Sequence, residues 1–150
     1  MNTEFSGLTA VVTGAGSGIG QAVARALSES GAKVFGLDLN EGNMSGFATF
    51  IPCDVSDGKK VEIAFAEIAK QTTVIDILAN IAGIGAIGKI TDVKEEDWEK
   101  VFGVNVYGTG RISSAAMPFL KKSNCASIVN TSSIAATAGL PDRVLYSASK

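Results

Sequence analysis

Three side chains near one end of the chain could move a proton together: Ser133, Tyr146 and Lys150. Tyr146 and Lys150 stand four apart in Leu145-Tyr146-Ser147-Ala148-Ser149-Lys150. If that segment is helical, both fall on one face. A phenol works as an acid or base near neutral pH only when its phenolate is stabilised, and a neighbouring ammonium group does this. A second hydroxyl, from Ser133, could hold a substrate oxygen as charge develops on it. A Tyr–Lys pair at this spacing also occurs as an ordinary surface pair, so the chemistry needs something to act with.

A candidate lies far upstream, in Leu8-Thr9-Ala10-Val11-Val12-Thr13-Gly14-Ala15-Gly16-Ser17-Gly18-Ile19-Gly20. An apolar run ends in a glycine-rich turn, and a helical pattern begins at once in Gln21-Ala22-Val23-Ala24-Arg25-Ala26-Leu27-Ser28-Glu29. Glycines let the backbone turn sharply and approach a bound group. The free N–H groups and the positive dipole end of the following helix suit a pyrophosphate. Asp38 ends the next apolar run, 18 residues after Gly20, where a carboxylate could hold a ribose diol. A tight strand-to-helix turn without a ligand is the plainer alternative.

The elements that must position these residues alternate. Strand-like apolar runs cover 9–13, 33–38, 48–52, 74–80 and 127–132, with helical patterns over 57–70 and 97–122. Continuous apolar runs suit parallel strands covered on both faces. The alternation predicts a doubly wound, Rossmann-like parallel sheet of strand order 3-2-1-4-5. The link over 39–47 is short and rich in Gly, Asn and Ser, which predicts turns or a single helical turn. Ligands in such sheets bind beyond the carboxyl ends of the strands. Asp38, Asp54 and Asn80 all fall on that edge, although each could instead cap a turn. Asn105 interrupts the helical run Val101-Phe102-Gly103-Val104-Asn105-Val106-Tyr107-Gly108. It reads either as a buried, satisfied amide at a local bend or as a polar anchor for function.

The bulk properties narrow the classes. The chain has 150 residues, enough for one domain. Its 13 basic and 15 acidic residues include no basic block, which gives no case for nucleic acid. The apolar region 74–90 is broken by Asp76, Asn80 and glycines, so no membrane span is expected. Met1-Asn2-Thr3-Glu4-Phe5 lacks the charged-then-apolar pattern of a leader, and a cytoplasmic location is the expectation. There is no histidine, and Cys53 and Cys125 have no metal spacing, so no metal site is expected. Both cysteines read as reduced packing residues.

Taken together, the motifs resemble the short-chain dehydrogenase/reductase family. Thr13-Gly14-Ala15-Gly16-Ser17-Gly18-Ile19-Gly20 matches its cofactor motif. Asp54-Val55, Asn80-Ile81-Ala82-Gly83, Asn105, Ser133 and Tyr146-Ser147-Ala148-Ser149-Lys150 match its later motifs in order. The resemblance spans essentially the whole chain and implies a Rossmann fold that binds NAD(H) or NADP(H). It places Gly14, Ser17, Gly18, Ile19 and Gly20 at the pyrophosphate turn, Asp38 and Leu39 at the adenosine ribose, and Asp54 and Val55 at the adenine. Asn80, Ala82 and Gly83 line the cofactor path. Tyr146 is then the general acid/base. Lys150 supports its phenolate and touches the nicotinamide ribose, Ser133 orients the substrate oxygen, and Asn105 supports a water in a proton relay. The implied reaction is hydride transfer between the nicotinamide and a secondary alcohol or ketone, by a homodimer or homotetramer.

Asp38 would repel a 2′-phosphate, and neither Ser17 nor Leu39 supplies a compensating cation, so NAD(H) is expected over NADP(H). A non-redox dinucleotide sensor or scaffold, or an epimerase or dehydratase relative, would use the same fold. Ile81 departs from the family's usual Asn-Asn-Ala-Gly. Ile84-Gly85-Ala86-Ile87 and 134–140 are small and apolar, which suits a modest, mainly apolar substrate. Arg143 reads either as an anchor for a substrate carboxylate or as an exposed surface residue. The family pattern continues past Lys150 into further strands and helices. Residues 1–150 are therefore expected to form a single dinucleotide-binding domain, incomplete at the C-terminus, with little activity on its own.

Overall fold

The computed structural model describes residues 3–150, so Met1 and Asn2, part of the stretch read for a leader, lie outside the described residues. Five strands form one sheet: β1 (Thr9–Thr13), β2 (Lys33–Asp38), β3 (Thr49–Pro52), β4 (Ile77–Asn80) and β5 (Ser127–Asn130). Their order is β3-β2-β1-β4-β5 and every pairing is parallel. This is the expected doubly wound sheet. The direction of winding reverses between β1 and β4, which opens a crevice at the carboxyl ends of those strands.

Helices α1 (Gly18–Glu29), α2 (Gly58–Ala69), α3 (Glu95–Phe102), α4 (Thr109–Leu120) and α5 (Val144–Ala148) connect or follow the strands. Successive side chains on a strand point to opposite faces, and the sheet accordingly carries two cores. Ala10, Val12, Val34 and Ala79 pack with Ala24 of α1 on one face. Val11, Phe35, Leu37 and Leu78 pack with Val61, Phe65 and Ile68 of α2 and Ile112, Ala116 and Leu120 of α4 on the other. The α1 face is built from small residues, which lets that helix lie close to β1. The opposite face is bulkier and includes the tilted Phe65–Phe119 ring pair at 6.1 Å.

Local chemistry sets the helix starts. The Asp57 carboxylate accepts from the Lys59 and Lys60 N–H groups and caps α2. Glu95, Glu96 and Asp97 sit in the first turn of α3, where they complement the dipole. The 39–47 link forms turns that place Met44 in the core, its carbonyl accepting from the Phe47 and Ala48 N–H groups to close the loop. A Cβ on Gly36 would run into the Met44 sulfur, so the link and β2 fit only because that position is glycine. At the opposite edge of the sheet, buried Asp76 accepts from Thr9 N at 2.8 Å and Ser123 Oγ at 2.6 Å.

Among the described residues β5 is the outermost strand, with Ile128 and Val129 40% and 55% exposed. Two expectations need correction. The helical run expected over 97–122 is α3 and α4 joined by a π-helical stretch, Gly103–Gly108, with Asn105 buried inside it. Cys125 is exposed rather than packed, while Cys53 is buried as expected. Among the described residues, no helix is long and apolar enough to cross a membrane, and no cluster of metal-ligating side chains is present.

Candidate active site

The glycine turn joins β1 to α1 at the crevice. Gly14 has φ +68°, and a Cβ there would lie 2.9 Å from the Ala82 Cα. The turn can therefore sit directly against the backbone that follows β4. Thr13 reinforces the junction, its Oγ1 accepting from Ile81 N at 2.9 Å and Ala82 N at 3.0 Å. Gly20 packs under the turn so tightly that a Cβ would strike the Gly14 carbonyl oxygen. Gly18 differs: it has φ +53°, and a Cβ there would meet nothing within 4 Å. It therefore presents bare backbone to the cleft at the first residue of α1. A tight turn, an open approach and a close helix–strand contact are the three roles that glycines play in a pyrophosphate site.

Asp38 ends β2 beside this turn. Its Oδ2 accepts from Gly16 N at 2.9 Å and its Oδ1 from Asn40 N at 3.2 Å. A carboxylate offers about four acceptor positions, so holding the turn leaves capacity for a diol. Asp38 is thus both a turn-former and a cleft residue. Asp54 combines the same two roles, accepting through Oδ1 from Ser56 N at 2.9 Å and Ser56 Oγ at 2.6 Å. Between them lies Cys53, 4% exposed. Burial, reinforced by the Asp54 and Asp57 carboxylates, pushes its thiol up to about 11. Such a thiol stays protonated and is a poor nucleophile.

At the other end of the cleft, Tyr146 lies on α5 and Lys150 just beyond it. Lys150 Nζ lies 6.0 Å from the Tyr146 ring centroid. The ammonium group donates to the Thr131 carbonyl at 2.9 Å, which ties it to the chain immediately after β5. Asn105, inside the π-helical stretch, is 7% exposed. Its Oδ1 accepts from Ile84 N at 2.8 Å, and its Nδ2 donates to Ile84 O at 3.0 Å and Ser149 Oγ at 2.8 Å. It is a satisfied buried amide that clamps the loop after β4 to the segment between Tyr146 and Lys150. A Cβ on Gly83 would lie 3.3 Å from Asn105 Oδ1 and 3.6 Å from Lys150 Nζ, so these groups meet at one spot.

These parts form one open cleft of about 780 Å³, within the usual range for ligand sites. Of the expected residues, Gly14, Ser17, Gly18, Ile19, Gly20, Asp38, Leu39, Asp54, Val55, Ala82, Gly83, Tyr146 and Lys150 line it. Asn80, Asn105 and Ser133 do not. Asn80 sits below the cleft floor, where its Nδ2 donates to Ser113 Oγ and Asn130 Oδ1. Ser133 is half-buried and caps the short 3₁₀ turn Ile134–Ala136, accepting from Ala135 N at 3.2 Å. Sequence reasoning missed Leu37, Cys53, Val104 and Thr131 as lining residues. Thr131 was within reach, because it follows the carboxyl end of a strand. Val104 was not, because its position depends on the π-helical stretch.

A five-stranded parallel sheet of order 3-2-1-4-5, with a glycine turn and an acid at its switch point, defines a dinucleotide-binding α/β architecture. Within that class, the chain belongs to the short chain dehydrogenase family, whose model matches residues 8–150. It is 39% identical to an "uncharacterized oxidoreductase" of Thermotoga maritima over 98% of this chain and 62% of that protein. It is 35% identical to D-threitol dehydrogenase of Mycolicibacterium smegmatis over 98% of this chain and 60% of that protein. The fold superposes on ligand-free aldohexose dehydrogenase of Thermoplasma acidophilum with TM-score 0.93 and 31% identity, covering 99% of this chain and 58% of that one. It also superposes on a short chain dehydrogenase/reductase of Burkholderia phymatum in complex with NAD, with TM-score 0.89 and 34% identity, covering 97% and 56%. The chain thus spans about three-fifths of the length of the curated relatives it matches.

Proposed function

We propose that the protein is a dehydrogenase/reductase that uses NAD(H) to interconvert a secondary alcohol and its carbonyl, with Tyr146 as the general acid/base. One observation carries this reading: a single cleft runs from the glycine turn and Asp38 to Tyr146 and Lys150. The residues fit a dinucleotide. Gly18 leaves open backbone where a pyrophosphate would approach, and Asp38 keeps acceptor capacity for the adenosine ribose. The negative charge of Asp38 disfavours a 2′-phosphate, and the adjoining Ser17 and Leu39 carry no cation. The relative solved with NAD supports the same choice.

Within this reading the bound nicotinamide supplies hydride transfer. The protein orients and handles the proton. Tyr146 gives or takes the proton at the substrate oxygen. Lys150, fixed by the Thr131 carbonyl, holds its positive charge 6.0 Å from the Tyr146 ring centroid. Asn105 keeps the loop of Ile84 against the Tyr146–Lys150 segment. Ser133 is assigned to the substrate oxygen by its place in the family motif. Its Oγ accepts from the Ala135 N–H, which leaves its own O–H to donate there.

The test is Tyr146→Phe, assayed with a panel of secondary alcohols and NAD⁺ by NADH formation. The expected result is a fall in kcat of about 10³-fold, with the NADH Kd changed by less than about twofold. Turnover that survives the substitution removes Tyr146 from the chemistry. NADH binding without turnover on any alcohol or ketone, by a protein that carries the strands and helices the family pattern places after Lys150, favours a sensor or scaffold.

A further inference from the structure

The charges along the cleft are separated. The end near the glycine turn carries Asp38 and Asp54, whereas the end near Tyr146 carries Lys150 and Arg143 and no carboxylate. Arg143 is half-buried rather than a free surface residue. It is the N-cap of α5, three positions before Tyr146, and both residues line the cleft. Its backbone forms a bridge to Gly88, and the adjacent Asp142 carbonyl accepts from Gly88 N at 2.8 Å. Its guanidinium donates through Nη1 to the Ala86 carbonyl at 3.3 Å. Both ends of the residue are therefore held against the loop after β4. Among the described residues the recorded ion pair is Lys70–Glu67, far from this end of the cleft. One long hydrogen bond uses one of five guanidinium N–H donors, and no acid neutralises the charge.

We infer that Arg143 is a specificity-determining residue that binds a carboxylate on the substrate, so that the preferred substrates are short hydroxy or oxo acids. This rests on the proposed function and deepens it. A guanidinium fork matches the two oxygens of a carboxylate. A phosphate dianion would call for a second cation, and Lys150, the other cation at this end, is the one the proposed function assigns to Tyr146. The remaining neighbours at this end, Ile84, Gly85 and Leu140, are apolar or small. They leave Arg143 as the one group able to compensate a substrate charge, and they suit a short carbon chain between the carboxylate and the reacting carbon.

The test measures binding to the NADH complex of the Tyr146→Phe protein, which is expected to hold NADH with little turnover, and is read by NADH fluorescence. The probes are 2-oxobutanoate, acetoacetate and 4-oxopentanoate, each against its methyl ester. At least one acid is expected to bind about 10–100-fold more tightly than its ester, the range of a charge-assisted hydrogen-bonded pair. Arg143→Gln should bring acid and ester to within about twofold of each other, and Arg143→Lys should restore part of the preference. Equal affinity for acids and esters with NADH bound overturns the inference and leaves the proposed function standing. A preference that survives Arg143→Gln also overturns it, as does a tenfold or greater weakening of NADH itself in that variant. Failure of the unaltered protein to bind NADH defeats the proposed function, and the inference with it.

Discussion

At the nucleotide end of the cleft, Thr13, the glycine turn and Asp38 come from one contiguous β1–α1–β2 unit, with strands buried on both faces. Its shape follows from backbone contacts that only glycine permits, as between Gly20 and the Gly14 carbonyl. At the catalytic end, Tyr146, Lys150, Asn105, Thr131 and Arg143 come from separate segments. Its geometry depends on polar clamps: Asn105 to Ile84 and Ser149, Lys150 to Thr131, Arg143 to Ala86. The first end is rigid because its parts cannot fit any other way. The second is held by a few hydrogen bonds between distant segments, and it is where substitution should tune function without unfolding the domain.

That contrast can be broken most severely at Gly20. Gly20→Val forces a branched side chain into the Gly14 carbonyl and should cost about 3 kcal/mol or more, with loss of measurable NADH binding. Gly110→Ala is the control, because a Cβ there meets nothing within 4 Å. It should stabilise α4 by about 0.5–1 kcal/mol. Chemical denaturation of both variants checks the pair, and similar destabilisation would show that the close contacts of the turn are not what makes it rigid.

The next effect belongs to the catalytic end. Asn105→Ala removes three hydrogen bonds from a buried position and leaves the Ile84 backbone groups unpaired. About 2–3 kcal/mol of stability should be lost. If the two ends are as separate as their construction suggests, kcat falls while the NADH Kd holds. A parallel rise in Kd would show that the clamp supports both ends.

Asp38→Asn tests the nucleotide end by charge alone. The ratio of NADPH to NADH affinity should rise about 10–100-fold, since removing a like charge is worth a few kcal/mol and 1.4 kcal/mol is tenfold. An unchanged ratio would separate Asp38 from cofactor choice.

The smallest effect concerns Cys53, which lies between Asp38 and Asp54 at the glycine-turn end. Its thiol is raised from 9.0 to about 11 in the folded protein. The unfolded chain therefore loses this proton first as pH rises. The group's contribution to stability is complete below pH 9 and declines between pH 9 and about 11. Cys53→Ala should flatten that part of the stability profile. With a disulfide reagent near pH 8, exposed Cys125 should react at once and Cys53 only slowly.

The sheet, its order and the glycine turn were legible in the sequence because each rests on neighbouring residues: apolar runs, helix starts, and glycines followed by an acid at a fixed distance. The catalytic end was legible only as a set of residue types. Asn105 could be read as a bent helix with a satisfied amide or as a functional anchor. The structure shows the amide satisfied and the helix locally π, with its bonds reaching Ile84 and Ser149, 21 and 44 positions away. Ser133 was assigned to the substrate oxygen only by the family motif, and its hydroxyl caps a 3₁₀ turn beside the cleft. A serine at the start of a turn satisfies a nearby N–H by default.

What the chain's own residues settled was the framework: parallel strands with two buried faces, a turn that only glycines can make, and Asp38 at the end of β2. Period, propensity and steric exclusion act over a few residues, so these features need no distant partner. Folding alone decided that Lys150 would be held by the Thr131 carbonyl, that Asn105 would join two loops, and that Arg143 would face a cleft rather than solvent. Each depends on which segments meet across the sheet edge, and a hydrogen bond between residues 19, 44 or 57 positions apart leaves no mark on local sequence pattern.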